Sequence, residues 1–234
     1  MYKKKLLNTA IAHLKDCLFP VFCLGCDREG DWLCDSCFDK LNGKEIFCCP
    51  VCHAVTELGR CCSACEAESY VDAHGAALQY SEQGLIGKVV HTFKYNYAEE
   101  LDSVFRRMVI DFVSRNPSFF SGFDAVVPVP LHNKRYAERG FNQASTLAGI
   151  LSHVIAVPVS EDLQRIRHTH HQARLERRER FKNIDQAFSA KAPTKQNIIL
   201  VDDVFTTGAT MQACAWALKE SGSRKVVGFS IARG

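Results

Sequence analysis

Two hydrophobic periods account for most of the chain. Residues 76–80, 123–129, 198–201 and 226–230 are short apolar runs, the pattern of strands buried on both faces. Between them the spacing becomes helical. Leu101, Val104, Phe105, Met108 and Phe112 form one stripe within residues 98–113. Ala144, Leu147, Ala148 and Leu151 form a second; Ala213, Cys214, Ala217 and Leu218 form a third, stopped at Gly222. Apolar strands alternating with amphipathic helices predict an α/β fold, an open and mostly parallel sheet with helices on both faces. Cys214 falls on the inward stripe of its helix, and packing accounts for it.

The N-terminal stretch has the same helical spacing at Leu7, Ala10, Ile11, Leu14 and Leu18, which predicts a short amphipathic helix packed on the rest of the protein. Met1-Tyr2-Lys3-Lys4-Lys5 would suit the start of a secretion signal. However, Asn8, Thr9, His13 and Lys15 interrupt the apolar run, and no small-residue cleavage site follows. No segment approaches the ~20 continuous apolar residues of a membrane span. The expectation is a cytoplasmic protein without stable membrane insertion.

Composition changes this picture in one place. The 234 residues are 24% charged and 47% hydrophobic, enough for one medium core plus a small module, and a net charge of +3 is too small to argue a nucleic-acid partner. The 12 cysteines, however, are concentrated: all but Cys214 fall between positions 17 and 65. They include four Cys-x-x-Cys pairs, whose spacing lets two thiolates on a tight knuckle turn point at one ion, so that two knuckles complete a tetrahedral sulfur shell. Cys23, Cys26, Cys34 and Cys37 make the first candidate site; Cys49, Cys52, Cys62 and Cys65 make the second, with Gly25, Gly30, Pro50 and Gly59 at the sharp turns. A disulfide framework would need an oxidising compartment, and a redox function would need a single pair. Two structural zinc ions are therefore expected, since four thiolates leave no open coordination position, and a segment this small has too little apolar area to fold unaided. Cys48 and Cys61 adjoin the second set and leave its ligands open; Cys17 reads as a buried hydrophobe. Past Cys65 the pattern turns periodic, so residues 1–68 are expected to hold the helix and zinc module, and residues 69–234 the α/β domain.

The chemistry concentrates in Ile198-Ile199-Leu200-Val201-Asp202-Asp203-Val204-Phe205-Thr206-Thr207-Gly208-Ala209-Thr210. An apolar strand ends in two carboxylates, and a Thr/Gly turn then opens a helix. Ligands of open α/β sheets bind beyond the carboxyl ends of the strands. The amides and hydroxyls of Thr206, Thr207, Gly208, Ala209 and Thr210, at a helix N-terminus, suit a phosphate, and Gly208 lets the backbone come close. Asp202 and Asp203 are placed to accept from vicinal ribose hydroxyls and to help hold Mg²⁺. The whole string looks like the phosphoribosyl pyrophosphate (PRPP) signature of type I phosphoribosyltransferases. Residues 163–182 carry seven Lys/Arg against two Glu, with His168, His170 and His171, which suits an anionic ligand or nucleic acid. Those histidines lack the acidic or cysteine surround of a metal site.

Further stretches carry a family resemblance. Val127-Pro128-Val129-Pro130-Leu131-His132 with Arg135 comes first, followed by Arg139-Gly140-Phe141-Asn142-Gln143. Arg165-x-Arg167-x-Thr169-x-x-Gln172-x-x-Leu175 follows, with Arg180, Asn183 and Phe188 beyond it, and Lys94-Tyr95 lies upstream. Together, from roughly Cys17 to Gly234, they resemble the ComF family of phosphoribosyltransferase-like proteins. The resemblance implies a double zinc ribbon ahead of a type I phosphoribosyltransferase-like domain that takes PRPP with Mg²⁺. It implies that residues 130–139 form the pyrophosphate-side loop, with Arg135 and Arg139 meeting phosphate oxygens, and that the basic segment occupies the place of the hood over the active site. It further implies a role in natural competence and DNA uptake, with single-stranded DNA and competence proteins such as a helicase-like companion as partners, and a homodimer by analogy. Three readings stay open: a phosphoribosyltransferase acting on a nitrogen acceptor that no residue identifies, a DNA-handling protein that keeps the sugar-phosphate pocket, and a PRPP sensor without turnover.

Overall fold

The computed structural model describes residues 20–41, 43, 45–95, 101–166, 187–191 and 196–234. The expected N-terminal helix, Cys17 and the basic stretch with its three histidines at 167–182 lie outside the described residues. The chain divides into two compact units, Met1–Asn42 and Gly43–Gly234. Sequence had suggested a division near residue 68. In the structure the second cysteine group belongs with the α/β sheet, because the strand just before it, β1 (Ile46–Phe47), pairs antiparallel with β2 (Ala73–Gln79). The Cys61 amide also donates to Asp72 O at 2.9 Å.

Within the smaller unit the short helix α1 (Asp35–Leu41) begins just after Cys34 and carries Cys37, the last member of the first cysteine group. In the larger unit, β2 leads through α2 (Leu85–Tyr95) and α3 (Asp102–Arg115) to β3 (Ala125–Pro128), α4 (Asn133–Arg139) and α5 (Gln143–Ile155). A two-stranded ribbon of β4 (Leu163–Arg165) and β5 (Phe188–Ala190) precedes β6 (Asn197–Phe205), α6 (Ala209–Glu220) and β7 (Lys225–Arg233). Among the described residues the main sheet has five strands in the order β1-β2-β7-β6-β3, parallel throughout except for the β1 edge.

The parallel strands are apolar through their central stretches because both faces are covered there. Alternate side chains serve opposite cores. Ile198, Leu200, Ala125 and Val127 join the cluster under α6 and the β4–β5 ribbon. On the other face Phe229 of β7 meets Phe112 of α3 at 5.1 Å between ring centroids, and α5 packs on α3, β3 and β6. Each fully buried aromatic of this kind contributes roughly 1.5–3 kcal/mol. Cys214 is fully buried in the α6 face, as its position on the stripe predicted. Among the described residues no helix is long and apolar enough to cross a membrane.

Two elements differ from the pattern read in sequence. The stretch taken as a basic loop contains helix α4: His132 caps it by accepting the Lys134 amide at Nδ1 (3.1 Å), and Gly140, in the left-handed region at φ 78°, closes it. Histidine is an uncommon N-cap, so the start left little signal. The strand placed at 198–201 continues through both acids to Phe205, because β7 supplies partners along the whole length, Asp202 opposite Ser230 and Phe205 opposite Arg233.

Candidate functional site

The carboxyl end of β6 passes directly into the N-terminus of α6, through a turn that Gly208 makes feasible. Its φ is +75°, and a Cβ there would lie 2.5 Å from the Phe205 ring and 3.1 Å from Pro50 O, so both conformation and space require glycine. Thr206, Thr207 and Thr210 are exposed, and Thr207 Oγ1 accepts the Ala209 amide at 3.5 Å. The first amides of α6 have no acceptor inside their own helix and aim, with the positive end of the helix dipole, into the turn. Asp202 and Thr206, Thr207, Gly208, Ala209 and Thr210 line one cavity of about 40 Å³, room for about three waters by volume. This is a concave nest at the exit of a central parallel strand, the place where open α/β sheets bind ligands.

The two acids have different surroundings. Asp203 is buried: its Oδ1 accepts the Val204 amide at 2.7 Å and its Oδ2 meets Lys94 Nζ at 2.7 Å. It does not line the cavity. Asp202 is partly exposed and does line it, with Oδ1 accepting the Asp203 amide at 2.9 Å. Its low-dielectric setting, and then the negative charge of Asp203, push the Asp202 pKa up to about 7, against a smaller opposing effect of Lys94. Lys94 was noted in sequence only as part of a motif; the structure gives it a definite place, bracing the acid pair from the end of α2.

The arginines of the 130–139 stretch also diverge. Arg135 is exposed on α4. Arg139 is buried, donating to Gln143 Oε1 at 3.1 Å and to Tyr95 Oη at 3.4 Å, with its guanidinium 5.2 Å from the Tyr95 ring centre. Arg139 Nε and Gln143 Nε2 are buried without a hydrogen-bond partner. Neither arginine lines the cavity around Asp202. Phe141 packs edge-on against Phe93.

Beneath the nest lies a buried polar cluster that sequence reasoning missed. Arg233, the last residue of β7, places its guanidinium 4.5 Å from the Phe205 ring centre and donates to His74 Nδ1 at 3.0 Å, Cys48 O at 3.2 Å and Cys49 O at 2.9 Å. Because arginine only donates, His74 Nδ1 accepts and Nε2–H donates to Ser230 Oγ at 3.0 Å. Burial, reinforced by Arg233, drives the His74 pKa well down and keeps the ring neutral. The available signal was an arginine closing a largely apolar strand.

The sulfur geometry of both cysteine groups fits zinc. Cys23, Cys26, Cys34 and Cys37 have their Sγ atoms within 4.8 Å of one another, and so do Cys49, Cys52, Cys62 and Cys65. Individual separations of 3.6 Å (Cys23–Cys34), 3.7 Å (Cys26–Cys34) and 3.7 Å (Cys52–Cys62) approach the ~3.8 Å edge of a tetrahedron with Zn–S bonds near 2.3 Å. Each group could hold one zinc ion, which would cross-link its two turns. Cys61 Sγ comes within 3.8 Å of Cys49 Sγ, although neither Cys61 nor Cys48 belongs to the set of four whose sulfurs all lie within 4.8 Å of one another.

No family model matches the chain. Competence protein F of Haemophilus influenzae is 33% identical over 115 residues, which is 47% of this chain and 50% of that protein, so this match spans half of its length. Competence protein ComFC of Bacillus subtilis is 29% identical over 216 residues, 88% of this chain and 86% of that one. The DNA utilization protein YhgH of Escherichia coli K12 is 31% identical over 152 residues, 63% of this chain and 67% of YhgH. The chain belongs to the ComF family. Among solved structures, an adenine phosphoribosyltransferase from Leishmania tarentolae is similar at a TM-score of 0.37 and 8% identity, covering 68% of this chain and 91% of that one; a likeness of this size decides nothing about ligands.

Proposed function

We propose that this ComF-family protein binds PRPP or a related ribose phosphate at the turn between β6 and α6 and acts in natural competence and DNA uptake in the cytoplasm. One observation carries the reading: Asp202 and a threonine-rich helix N-terminus line the same small cavity. The helix amides and the hydroxyls of Thr206, Thr207 and Thr210 would hold the 5-phosphate, and Asp202 would accept from the ribose hydroxyls. Asp203, braced by Lys94, would keep Asp202 in place and supply negative charge toward Mg²⁺ entering with PRPP. Arg135 would meet the pyrophosphate from the exposed face of α4, while Arg139 would fix that helix against Tyr95. The competence and DNA-utilization names of the relatives support the cellular setting. Single-stranded DNA and a helicase-like competence protein are the partners that setting suggests.

Turnover would require little beyond positioning and charge stabilisation as pyrophosphate departs. Calorimetric titration of PRPP with and without Mg²⁺ tests the site. Binding in the micromolar range, lost in the Asp202→Asn, Asp203→Asn double variant, is expected; a flat titration with both PRPP and ribose 5-phosphate sinks the reading. Pyrophosphate release would mark a transferase, and binding without release a sensor. Salt-dependent binding of single-stranded DNA that weakens when Arg177 and Arg178 are neutralised would mark DNA handling.

A further inference from the structure

The second cysteine group and the nest are joined by one buried side chain. Arg233 is 2% exposed and has no carboxylate partner among the described residues. Its three hydrogen bonds run to the carbonyls of Cys48 and Cys49, at the start of the second knuckle, and to His74. Its guanidinium face lies over Phe205, the residue that enters the nest. Phe205 also stacks on His74 at 4.0 Å and fills the space a Cβ on Gly208 would need. The knuckle touches this cluster twice more: Pro50 O stands 3.1 Å from that Cβ position at Gly208, and Gly59 presses so close to His74 O that a Cβ would lie 1.9 Å away. A buried cation without a counter-ion is costly, and four thiolates around one Zn²⁺ carry about two net negative charges beside it.

We propose that Arg233 is a positioning residue that makes the second cysteine knuckle part of the phosphate nest, so that metal held by Cys49, Cys52, Cys62 and Cys65 sets the conformation of Phe205 and the 206–210 turn. Loss of that metal lets the carbonyls of Cys48 and Cys49 move. Arg233 then leaves the Phe205 ring, and the turn that aims the α6 amides relaxes. By linkage, an anion seated in the nest tightens binding of the second metal by the same factor that the metal tightens anion binding, and release of that metal is where the gain is expected to show. The first cysteine group lies in the other unit, away from Arg233 in sequence, and serves as an internal control.

Two measurements on the full zinc-loaded chain test this. The first is amide hydrogen exchange of the segment 204–212. At least tenfold faster exchange is expected in Cys62→Ser and in Arg233→Met; unchanged exchange in either overturns the inference. Should Arg233→Met fail to fold, Arg233→Lys, which keeps the charge but cannot reach three acceptors at once, is expected to give an intermediate increase, and wild-type exchange in it overturns the idea equally. The second is zinc transfer to a chromogenic chelator, followed as two phases assigned with Cys34→Ser, with and without saturating ribose 5-phosphate. Release from the second group should slow at least fivefold with the sugar phosphate, release from the first should not change, and the slowing should vanish in Arg233→Met. This half rests on the ribose-phosphate reading. If ribose 5-phosphate fails to bind, that reading falls and exchange alone decides the clamp; if it binds without slowing the second phase, the clamp falls and the binding site stands.

Discussion

The two cysteine groups have the same ligand chemistry and near-identical sulfur spacing, yet their surroundings differ. The first lies in the compact unit Met1–Asn42, where its two turns are joined by the Leu24 amide donating to Trp32 O at 3.0 Å and the Cys34 amide donating to Cys23 Sγ at 3.5 Å. The second is woven into the sheet of Gly43–Gly234 through the β1–β2 pairing, the Cys61 amide and the carbonyls that Arg233 holds. A tetrahedral thiolate shell thus says little about its own role. The role is set by what the carbonyls and turns around the shell are bonded to.

The contrast predicts unequal damage. Cys62→Ser should lower the main thermal transition by on the order of 10 °C, because several kcal/mol of metal cross-linking are lost from the larger unit. Cys34→Ser should leave that transition in place and remove a separate, smaller one. Each should reduce bound zinc from two ions to one by elemental analysis. Equal shifts of the main transition would erase the distinction.

A paired glycine test comes next in size. Gly59 and Gly30 both have positive φ, +67° and +121°, but a Cβ on Gly59 would strike His74 O at 1.9 Å, whereas one on Gly30 would meet nothing within 4 Å. Gly30→Ala should cost only the conformational strain, about 1–2 kcal/mol. Gly59→Ala must also push the second knuckle off β2, so its cost in denaturant unfolding should exceed that of Gly30→Ala by about 2 kcal/mol or more. Similar costs would show that the knuckle rests only loosely on the sheet.

Much of this was legible in the chain itself. Buried strands and helical stripes give period signals that do not depend on partners, so the residue runs at 123–129, 198–201 and 226–230 pointed correctly to a parallel sheet. The metal groups were legible because Cys-x-x-Cys spacing is local. What sequence could not show was placement across the fold. Arg233 and His74 are 159 positions apart, and neither has a local pattern that announces a shared cluster. The same holds for Lys94 against Asp203. Adjacent in sequence, Asp202 and Asp203 read as equivalent, and only the fold separates the acid that lines the cavity from the acid that is spoken for. Helix α4 was obscured by its histidine cap.

Asp202 offers a test that sharpens the link between nest and stability. Its pKa is near 7 in the folded chain against 3.8 for an ordinary aspartate. Between about pH 4 and 7 the folded state therefore holds a proton that the unfolded state has released, and folding stability must fall as pH rises through that window. Asp202→Asn should flatten this slope and raise the apparent melting temperature at pH 8, while ribose 5-phosphate binding weakens roughly 10–100-fold from the lost charge-assisted hydrogen bonds. An unchanged slope would mean the carboxylate is solvated and the nest more open than its geometry indicates.

The smallest effect probes the same comparison at matched positions. Asp27 follows Cys26 and His53 follows Cys52, and both sit in the left-handed region, at φ 59° and 65°, closing their knuckles by equivalent turns. Glycine accepts that conformation without a Cβ penalty, although it also adds freedom to the unfolded chain. Asp27→Gly should thus be neutral or stabilising, within about 1 kcal/mol. His53→Gly relieves the same strain but removes a ring that lies 6.1 Å from Phe205, the residue on which Arg233 rests. If the second knuckle is part of the nest, His53→Gly should loosen the 204–212 segment and come out less stable than Asp27→Gly by about 0.5–1 kcal/mol, the usual worth of an aromatic pair. Identical outcomes for the two substitutions, in both denaturation and hydrogen exchange, would place His53 outside the coupling and leave the tie between knuckle and nest to Arg233 alone.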